Sequence, residues 1–222
     1  MGVLDIIGPI MIGPSSSHTA GAARLGNMAR TILGEEPVKA TIQLYGSFAQ
    51  TYKGHGTDKA LVAGLMGLSP EDPAIKTALD RAARSALQVV FTREESQDCH
   101  PNTVKFLLEG QSGRTVAVTG ASTGGGRIVI SKIDGYEVEC TGEYYTLIAV
   151  YQDKPGVVAA VTKILAQHEV NIAFMKVSRK QKGAQALMIL EADQPLTEEV
   201  IAAVNGLPAM ESALLVKPLV GR

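Results

Sequence analysis

The last third of the chain alternates between strand-like and helix-like hydrophobic patterns, and this alternation restricts the fold more than any other feature. Residues 146–151 are rich in β-forming side chains, and a Lys-Pro-Gly turn follows. Residues 157–169 carry apolar side chains at helical spacing, in a helix that Asn171 is expected to end. Two more strand patterns, at 172–179 and 184–191, flank a polar turn. The pattern predicts a strand, a helix and then two antiparallel strands.

A second helix and a last strand complete this segment. Thr197 is followed by Glu198 and Glu199, which is a helix-start signal because acidic side chains are favoured at the positive end of the helix dipole. This helix is expected to stop near Gly206, and residues 212–219 supply the last strand. The order β-α-β-β-α-β is typical of the ferredoxin-like fold, so a domain is predicted at 146–222.

The first 142 residues have a less regular pattern and are predicted to form a separate α+β domain. Helices are expected from the serine-rich start to about residue 33, near 58–66 and near 73–86. His55, flanked by glycines, is expected in a turn, with Thr57 or Asp58 capping the helix that follows. Strands are predicted at 39–45, 87–92, 103–108, 115–119, 127–132 and 136–140.

Charge and hydropathy exclude several classes of partner. The formal net charge is −1, with 21 basic and 22 acidic residues, so no basic stripe is available to bind a nucleic-acid backbone. The longest apolar runs, such as 61–68, are far shorter than the roughly 20 residues that span a bilayer. The start of the chain lacks the features of a signal peptide, so a cytoplasmic protein without a membrane partner is expected.

The two cysteines, Cys99 and Cys140, lie far apart in the sequence and form no Cys-x-x-Cys pair. Zinc and iron–sulfur sites need clusters of thiolate ligands at close spacing. The sequence therefore predicts two isolated thiols and no metal site formed by the cysteines of this chain alone.

A serine-rich helix start is the first candidate for chemistry. Ser15, Ser16, Ser17 and His18 follow a Gly-Pro pair and precede a helix of small residues. Hydroxyls and free backbone N–H groups at such a start can receive a carboxylate. The alternative is a plain helix cap with a solvated histidine. A Ser/His hydrolase is a weaker hypothesis, because no G-x-S-x-G elbow is present.

Three other polar clusters are candidates of lower specificity. His55 lies in a Gly-His-Gly-Thr-Asp run and is a plausible general base or substrate ligand, or an ordinary loop residue. Asn102, in a His-Pro-Asn run, is suited to bind a carboxylate through its amide, although the run is also a common turn signal. The Ser-Thr-Gly-Gly-Gly run at 122–126 offers consecutive backbone N–H groups to an anion or forms a simple hairpin.

The order of these motifs resembles the beta region of bacterial iron–sulfur L-serine dehydratases. The resemblance depends on Gly-Pro-Ser-Ser-Ser-His-Thr at 13–19, Gly-Ser at 46–47, Gly-His-Gly-Thr-Asp at 54–58, His-Pro-Asn at 100–102 and the glycines at 124–126. It runs through the first 140 or so residues, and the segment after them resembles an ACT domain. The serine-histidine and Gly-His-Gly-Thr-Asp motifs are its specific part.

The resemblance implies an L-serine ammonia-lyase that forms pyruvate and ammonia without pyridoxal phosphate. In this family a [4Fe–4S] cluster acts as a Lewis acid, and its cysteine ligands lie in an alpha region that is fused in some members and separate in others. The present chain lacks that region. The resemblance therefore implies a heterodimer-forming beta subunit, with the cluster ligated by a partner alpha subunit, that is inactive alone.

The same resemblance assigns roles by position. His18 and His55 become candidates for the catalytic base or a substrate ligand, without a choice between them. Ser15, Ser17 and Asn102 become candidates for binding the L-serine carboxylate and hydroxyl.

The C-terminal resemblance implies a regulatory site. ACT domains commonly pair side by side and bind amino acids near the turn after the first strand, which indicates Asp153, Gly156 and Asn171 as effector-binding residues; a purely structural turn and helix cap is the alternative. The N-terminal part also resembles the allosteric substrate-binding domain of some phosphoglycerate dehydrogenases. A non-catalytic amino-acid sensor is therefore the competing hypothesis.

Overall fold

The computed structural model describes residues 11–13, 15–95 and 98–219, and it divides into two units, Met1–Gly135 and Tyr136–Arg222. Gly8, Pro9 and Pro14, which belong to the Gly-Pro pairs of the sequence, lie outside the described residues. The predicted domain limits, 1–142 and 146–222, stay a prediction. The mixture of helices and strands in both units confirms the predicted α+β class.

Within its described residues, the first unit carries four α-helices on one sheet. They are α1 (Ala22–Leu33), α2 (Gly46–His55), α3 (Thr57–Leu65) and α4 (Ala78–Arg84). A π-helical segment, Ser16–Gly21, leads directly into α1, and a 3₁₀ helix, Pro73–Thr77, leads into α4. The helix predicted from residue 57 or 58 has no side-chain cap, because Gly56 precedes it in a left-handed conformation and Asp58 binds the N–H of Lys59 instead.

Two glycines let α1 and α3 pack backbone to backbone. A Cβ on Gly26 would lie 2.3 Å from the carbonyl oxygen of Leu61, and a Cβ on Gly64 would lie 2.1 Å from that of Ala23. Small residues at a helix crossing allow this close approach. The small-residue character of the helix after His18 therefore has a packing cause.

Five neighbouring strands of the first unit have the order β2-β1-β3-β4-β5. Strands β1 and β2 are parallel, which their long crossover through α2, α3 and α4 permits, and the other pairs are antiparallel. Alternate residues of the central strands are fully buried beneath the helices, including Ile42, Phe106 and Val118. The strands are β1 (Pro37–Tyr45), β2 (Gln88–Glu94), β3 (Thr103–Gly110), β4 (Thr115–Gly124) and β5 (Arg127–Ile133).

The second unit contains the predicted β-α-β-β-α-β order, after an initial strand, β6 (Tyr136–Cys140). A four-stranded antiparallel sheet has the order β10-β7-β9-β8, and two helices pack on it. Its apolar core includes Tyr151, Val161, Leu165, Met188 and Val204. The elements are β7 (Tyr145–Gln152), α5 (Val157–Gln167), β8 (Ile172–Arg179), β9 (Gln185–Ala192), α6 (Glu198–Asn205) and β10 (Met210–Val216).

Two expectations about helix ends are wrong. The helix α2 was not predicted, and His55 is the last residue of that helix rather than part of a glycine turn. Asn171 does not end α5, which stops at Gln167 because Glu169 adopts a left-handed conformation with φ 56°. No helix within the described ranges is both long and apolar enough to cross a membrane.

Candidate active site

The serine-rich start forms a cap whose side chain also contacts an imidazole. Ser15 is extended, with φ −142° and ψ 128°, and its Oγ accepts a hydrogen bond from the backbone N–H of His18 at 3.3 Å. The same Oγ lies 3.3 Å from Nδ1 of the His18 ring. The π-helical turn that carries His18 is a local irregularity of the kind found often at functional sites.

The other edge of the His18 ring faces α2. Nε2 lies 3.2 Å from Oγ1 of Thr51 and 3.5 Å from Oγ of Ser47, and Phe48 contacts the ring edge-on with centroids 5.2 Å apart. Thr51 was missed in the sequence because α2 itself was missed. The signal was present, since Ser47, Thr51 and His55 recur every four residues and so share one helical face.

His55 closes this face at the end of α2. Its ring centroid is 4.9 Å from that of His18, and its Nδ1 lies 3.4 Å from the carbonyl oxygen of Thr51. Burial, and secondarily the charge of His55, lower the pKa of His18 below the ordinary 6.5. His18 is therefore neutral at pH 7. The two predicted histidines form one pair, half-buried at His18 and exposed at His55.

Asn102 lies in the loop before β3, which packs on the start of α2. The carbonyl of Pro101 accepts the N–H of Phe48 at 3.3 Å, and a Cβ on Gly46, whose φ is +52°, would lie 2.6 Å from that carbonyl. Asn102 Nδ2 donates to the carbonyl of Ser122 at 3.4 Å. The loop thus joins α2 to the end of β4.

Ser122 links Asn102 to the serine-rich segment. Its Oγ is fully buried and has no hydrogen-bond partner among the described residues, and a Cβ on Gly21 would lie only 2.0 Å from it. Arg24 Nη1 donates to the carbonyl of Gly126 at 2.6 Å, which fixes the adjacent glycine turn to α1. Sequence reasoning noted the run 122–126 only as a weak anion site and did not single out Ser122.

The described geometry brings four of the five predicted residues into one connected network. Ser15 and His18 touch directly, His55 stacks near His18, and Asn102 connects through Ser122 to Gly21, the end of the segment that carries His18. Ser17 is half-buried on that segment, and the structure records no hydrogen bond for its hydroxyl within the described part of the chain. Such a site can bind an anion at the helix start and transfer a proton at an imidazole.

Comparison with known proteins shows which protein family the chain resembles, which the geometry of the site alone does not show. The family model described as Serine dehydratase beta chain matches residues 2–87, and the model described as ACT domain matches residues 145–209. A "Probable L-serine dehydratase, beta chain" from Bacillus subtilis (strain 168) is 43% identical over 206 residues, which cover 93% of both chains. An "L-serine dehydratase, beta chain" from Peptoniphilus asaccharolyticus is 39% identical over 214 residues, 96% of both.

The chain belongs to the L-serine dehydratase beta-chain family. The predicted family resemblance and the predicted ACT domain are therefore confirmed. A more distant relative, a "D-3-phosphoglycerate dehydrogenase" from Synechocystis sp. (strain ATCC 27184 / PCC 6803 / Kazusa), is 25% identical over 198 residues. The match covers 88% of this chain but only 35% of that protein.

The cysteines of this family member do not fit a [4Fe–4S] cluster. Cys99 is half-buried in the first unit, whereas Cys140 lies in the second, where burial raises its pKa to about 11. A cluster of this kind is held by four thiolates. Across the described residues, no group of three or more histidine, cysteine or acidic side chains is arranged to hold a metal ion.

The three residues predicted for effector binding in the ACT domain lie in different local environments. Asp153 Oδ2 accepts hydrogen bonds from Gly183 N at 3.0 Å and from Arg179 Nη1 at 2.7 Å, and these bonds lower the pKa of the carboxyl. Gly156, with φ +89°, precedes the first turn of α5. Asn171 is exposed beyond the end of that helix. The carboxylate of Asp153 therefore ties the turn to the β8–β9 hairpin.

Proposed function

We propose that this chain is the beta subunit of an L-serine dehydratase, an L-serine ammonia-lyase that converts L-serine to pyruvate and ammonia together with an alpha chain. The observation that carries the proposal is the His18–His55 pair, 4.9 Å between ring centroids, in a chain 43% identical over 93% of its length to a protein named for this activity. The pair lies at the surface, where a second chain can cover it.

The substrate carboxylate is assigned to the serine-rich helix start. Ser17 presents a hydroxyl there and Ser15 occupies the N-cap position, and the free N–H groups of the first turn carry the positive end of the helix dipole. No acidic side chain occurs in this turn, so the turn itself places no negative charge beside the anion. Asn102 supplies an amide from the opposite loop for the carboxylate or the hydroxyl of serine.

The α-proton of serine is assigned to His55. Its Nδ1 faces a backbone carbonyl, which can only accept a hydrogen bond, so Nδ1 carries the proton and Nε2 keeps its lone pair. Within the described residues Nε2 has no hydrogen-bond partner, whereas both ring nitrogens of His18 face hydroxyl groups. Loss of the α-proton and the β-hydroxyl gives aminoacrylate, which water converts to pyruvate and ammonia.

The [4Fe–4S] cluster of the family is proposed to reside in the alpha chain. This chain has two cysteines, in different units, and one of them is a buried thiol with a raised pKa. What this chain contributes is the anion site and the base. It follows that this chain forms no pyruvate by itself.

Reconstitution tests this function directly. The chain and the alpha chain of the same source, expressed separately and mixed without oxygen, are expected to form pyruvate from L-serine, while each alone forms none. Substitution of D-serine for L-serine controls for nonspecific deamination. Pyruvate formation by the alpha chain alone, at the rate of the mixture, would contradict the proposed role.

The second candidate is a non-catalytic amino-acid sensor, favoured by the 25% identity to a phosphoglycerate dehydrogenase over 198 residues. Calorimetry on the isolated chain separates the two functions. The sensor is favoured if the isolated chain binds L-serine tightly and the alpha chain deaminates L-serine at the same rate with and without this chain. Binding that requires the alpha chain favours the shared active site.

We also propose that the chain self-associates through its ACT domain and that Asp153, Gly156 and Asn171 bind an effector there. Met175 and Val177 project from one side of β8, and each remains more than a third exposed. Sedimentation of the chain with Met175→Lys, compared with the unchanged chain, tests this face. An unchanged molar mass for a dimeric wild type would contradict its role.

A further inference from the structure

The hydroxyl hydrogen of Thr51 is already engaged inside its own helix. Oγ1 donates to the carbonyl of Ser47, four residues earlier, at 2.8 Å. A threonine hydroxyl has one hydrogen, so Oγ1 faces the His18 ring only with its lone pairs. At 3.2 Å from Nε2 it must accept, and Nε2 of His18 must carry the hydrogen.

The opposite nitrogen of His18 is then defined as well. A neutral imidazole has one N–H, and the lowered pKa keeps His18 neutral at pH 7, so Nδ1 holds a lone pair. Ser15 Oγ accepts from the backbone N–H of His18 and has its own hydrogen left to donate to Nδ1, at 3.3 Å. The chain of bonds runs from Ser15 through His18 and Thr51 to the carbonyl of Ser47.

The backbone carbonyl of Thr51 places the ring hydrogen of the second histidine, His55, on the other nitrogen, Nδ1. This carbonyl can only accept, so Nδ1 of His55 donates to it at 3.4 Å. One residue of α2 therefore faces both imidazoles, with its side chain toward Nε2 of His18 and its carbonyl toward Nδ1 of His55.

We propose that Thr51 is a positioning residue that fixes opposite tautomers in the two histidines, Nε2–H in His18 and Nδ1–H in His55. His18, occupied at both nitrogens, orients the Ser15 hydroxyl, and His55 keeps an open Nε2 lone pair. This inference rests on the proposed function for its catalytic meaning, but the tautomers are properties of the chain alone.

Nitrogen NMR of the full chain labelled with ¹⁵N-histidine reads the tautomers without any reaction. The chain has four histidines, and His→Gln variants assign their signals. The expected spectrum at pH 7.5 shows a protonated Nε2 and an unprotonated Nδ1 for His18. A protonated Nδ1 in wild-type His18 would overturn the proposal.

Three variants distinguish the effect of the Thr51 hydroxyl on the His18 tautomer from that of neighbouring groups. Thr51→Val keeps the β-branched shape and removes the acceptor, so His18 is expected to become a tautomer mixture while His55, held by the backbone, keeps its signals. Thr51→Ser restores the wild-type pattern. Ser47→Ala is expected to leave His18 unchanged, since its Oγ lies at the 3.5 Å limit. An unchanged His18 tautomer in Thr51→Val would contradict the assignment.

Activity of the reconstituted enzyme supplies the second reading. Thr51→Val is expected to lower kcat about 10-fold or more, consistent with the loss of one orienting hydrogen bond, and Thr51→Ser restores it. Thr31→Val is the matched control, because it removes the same kind of bond, from Oγ1 to the carbonyl four residues earlier at 2.9 Å, in a helix that contains no histidine. A wild-type kcat in a Thr51→Val enzyme whose His18 signals have changed would overturn the positioning role. Lack of deamination by the wild-type mixture would instead count against the proposed function, and the NMR result would stand.

Discussion

The two units each contain a helix start rich in turn residues, and they use their polar groups in different ways. At the start near Ser15, hydroxyl groups contact a half-buried neutral imidazole, and a second imidazole lies beside it. At the start near Gly156, the carboxylate of Asp153 is already bound by Arg179 and Gly183. The first start lies beside an open imidazole nitrogen, Nε2 of His55, whereas the second uses its charge to hold a hairpin.

The two helix starts also require glycine for different physical reasons. Gly21 is helical, and a Cβ there would enter the space of Ser122. Gly156 has open space around its Cβ position but a φ of +89° that L residues rarely adopt. The first glycine is required by packing around the site, and the second is required by its own backbone.

The largest expected effect is at Gly21. Gly21→Ala places a Cβ about 2 Å from Oγ and 2.8 Å from Cβ of Ser122, so the segment that carries His18 must shift. We expect a loss of about 2–3 kcal/mol in the free energy of unfolding, measured by urea denaturation.

The matched variant adds Ser122→Gly to Gly21→Ala, which removes the obstructing side chain. Part of the lost stability is expected to return, because the two substitutions share one contact. Simple additivity of the two single effects would contradict the packing account of Gly21.

A smaller effect is expected at Gly156. Gly156→Ala meets no neighbouring atom within 4 Å and pays only for its left-handed backbone, about 1 kcal/mol in the free energy of unfolding. The measurement is again urea denaturation. Gly156→Asn is the control, because asparagine tolerates this conformation better. If Gly156→Ala lost as much free energy of unfolding as Gly21→Ala, the proposed difference between the two helix starts would be contradicted.

The smallest effect is a pH dependence at Asp153. The folded pKa of this carboxyl lies below its ordinary 3.8, so its contribution is fully present above that value and lost as the pH falls through the folded pKa. Asp153→Asn is therefore expected to lower the melting temperature slightly at pH 6 and not at all in strong acid. A difference from wild type that grows toward acid pH would contradict the ion pair with Arg179.

Sequence patterns predicted the second unit almost completely and the first unit only in part. Residues 172–179 form β8 with the predicted limits, since strand alternation and turn residues are local signals. Helix α2 has a weakly amphipathic sequence with two glycines, Gly46 and Gly54, and it forms because Phe48 and Tyr52 are buried by distant elements. Tertiary packing overrode the local glycine signal at His55.

The candidate site was predictable as a set of residues but not as a network. His18 and His55 were identified from their motifs, yet their 4.9 Å approach depends on α2, whose existence the sequence concealed. Thr51 had no motif of its own, and Ser122 was hidden in a glycine-rich hairpin. Polar contacts between elements far apart in the chain depend on a fold that no local pattern specifies.

The most direct test of the account is the rate of pyruvate formation from L-serine by reconstituted enzyme carrying His55→Gln or His168→Gln. His168 is a matched control because it also lies at a helix end, with its Nδ1 2.8 Å from the carbonyl of Ile164; unlike the exposed His55 it is half-buried, and it lies in the other unit. If His55 is the base, kcat is lower by about 10²–10⁴-fold for His55→Gln and unchanged for His168→Gln. A wild-type kcat for His55→Gln would contradict this assignment.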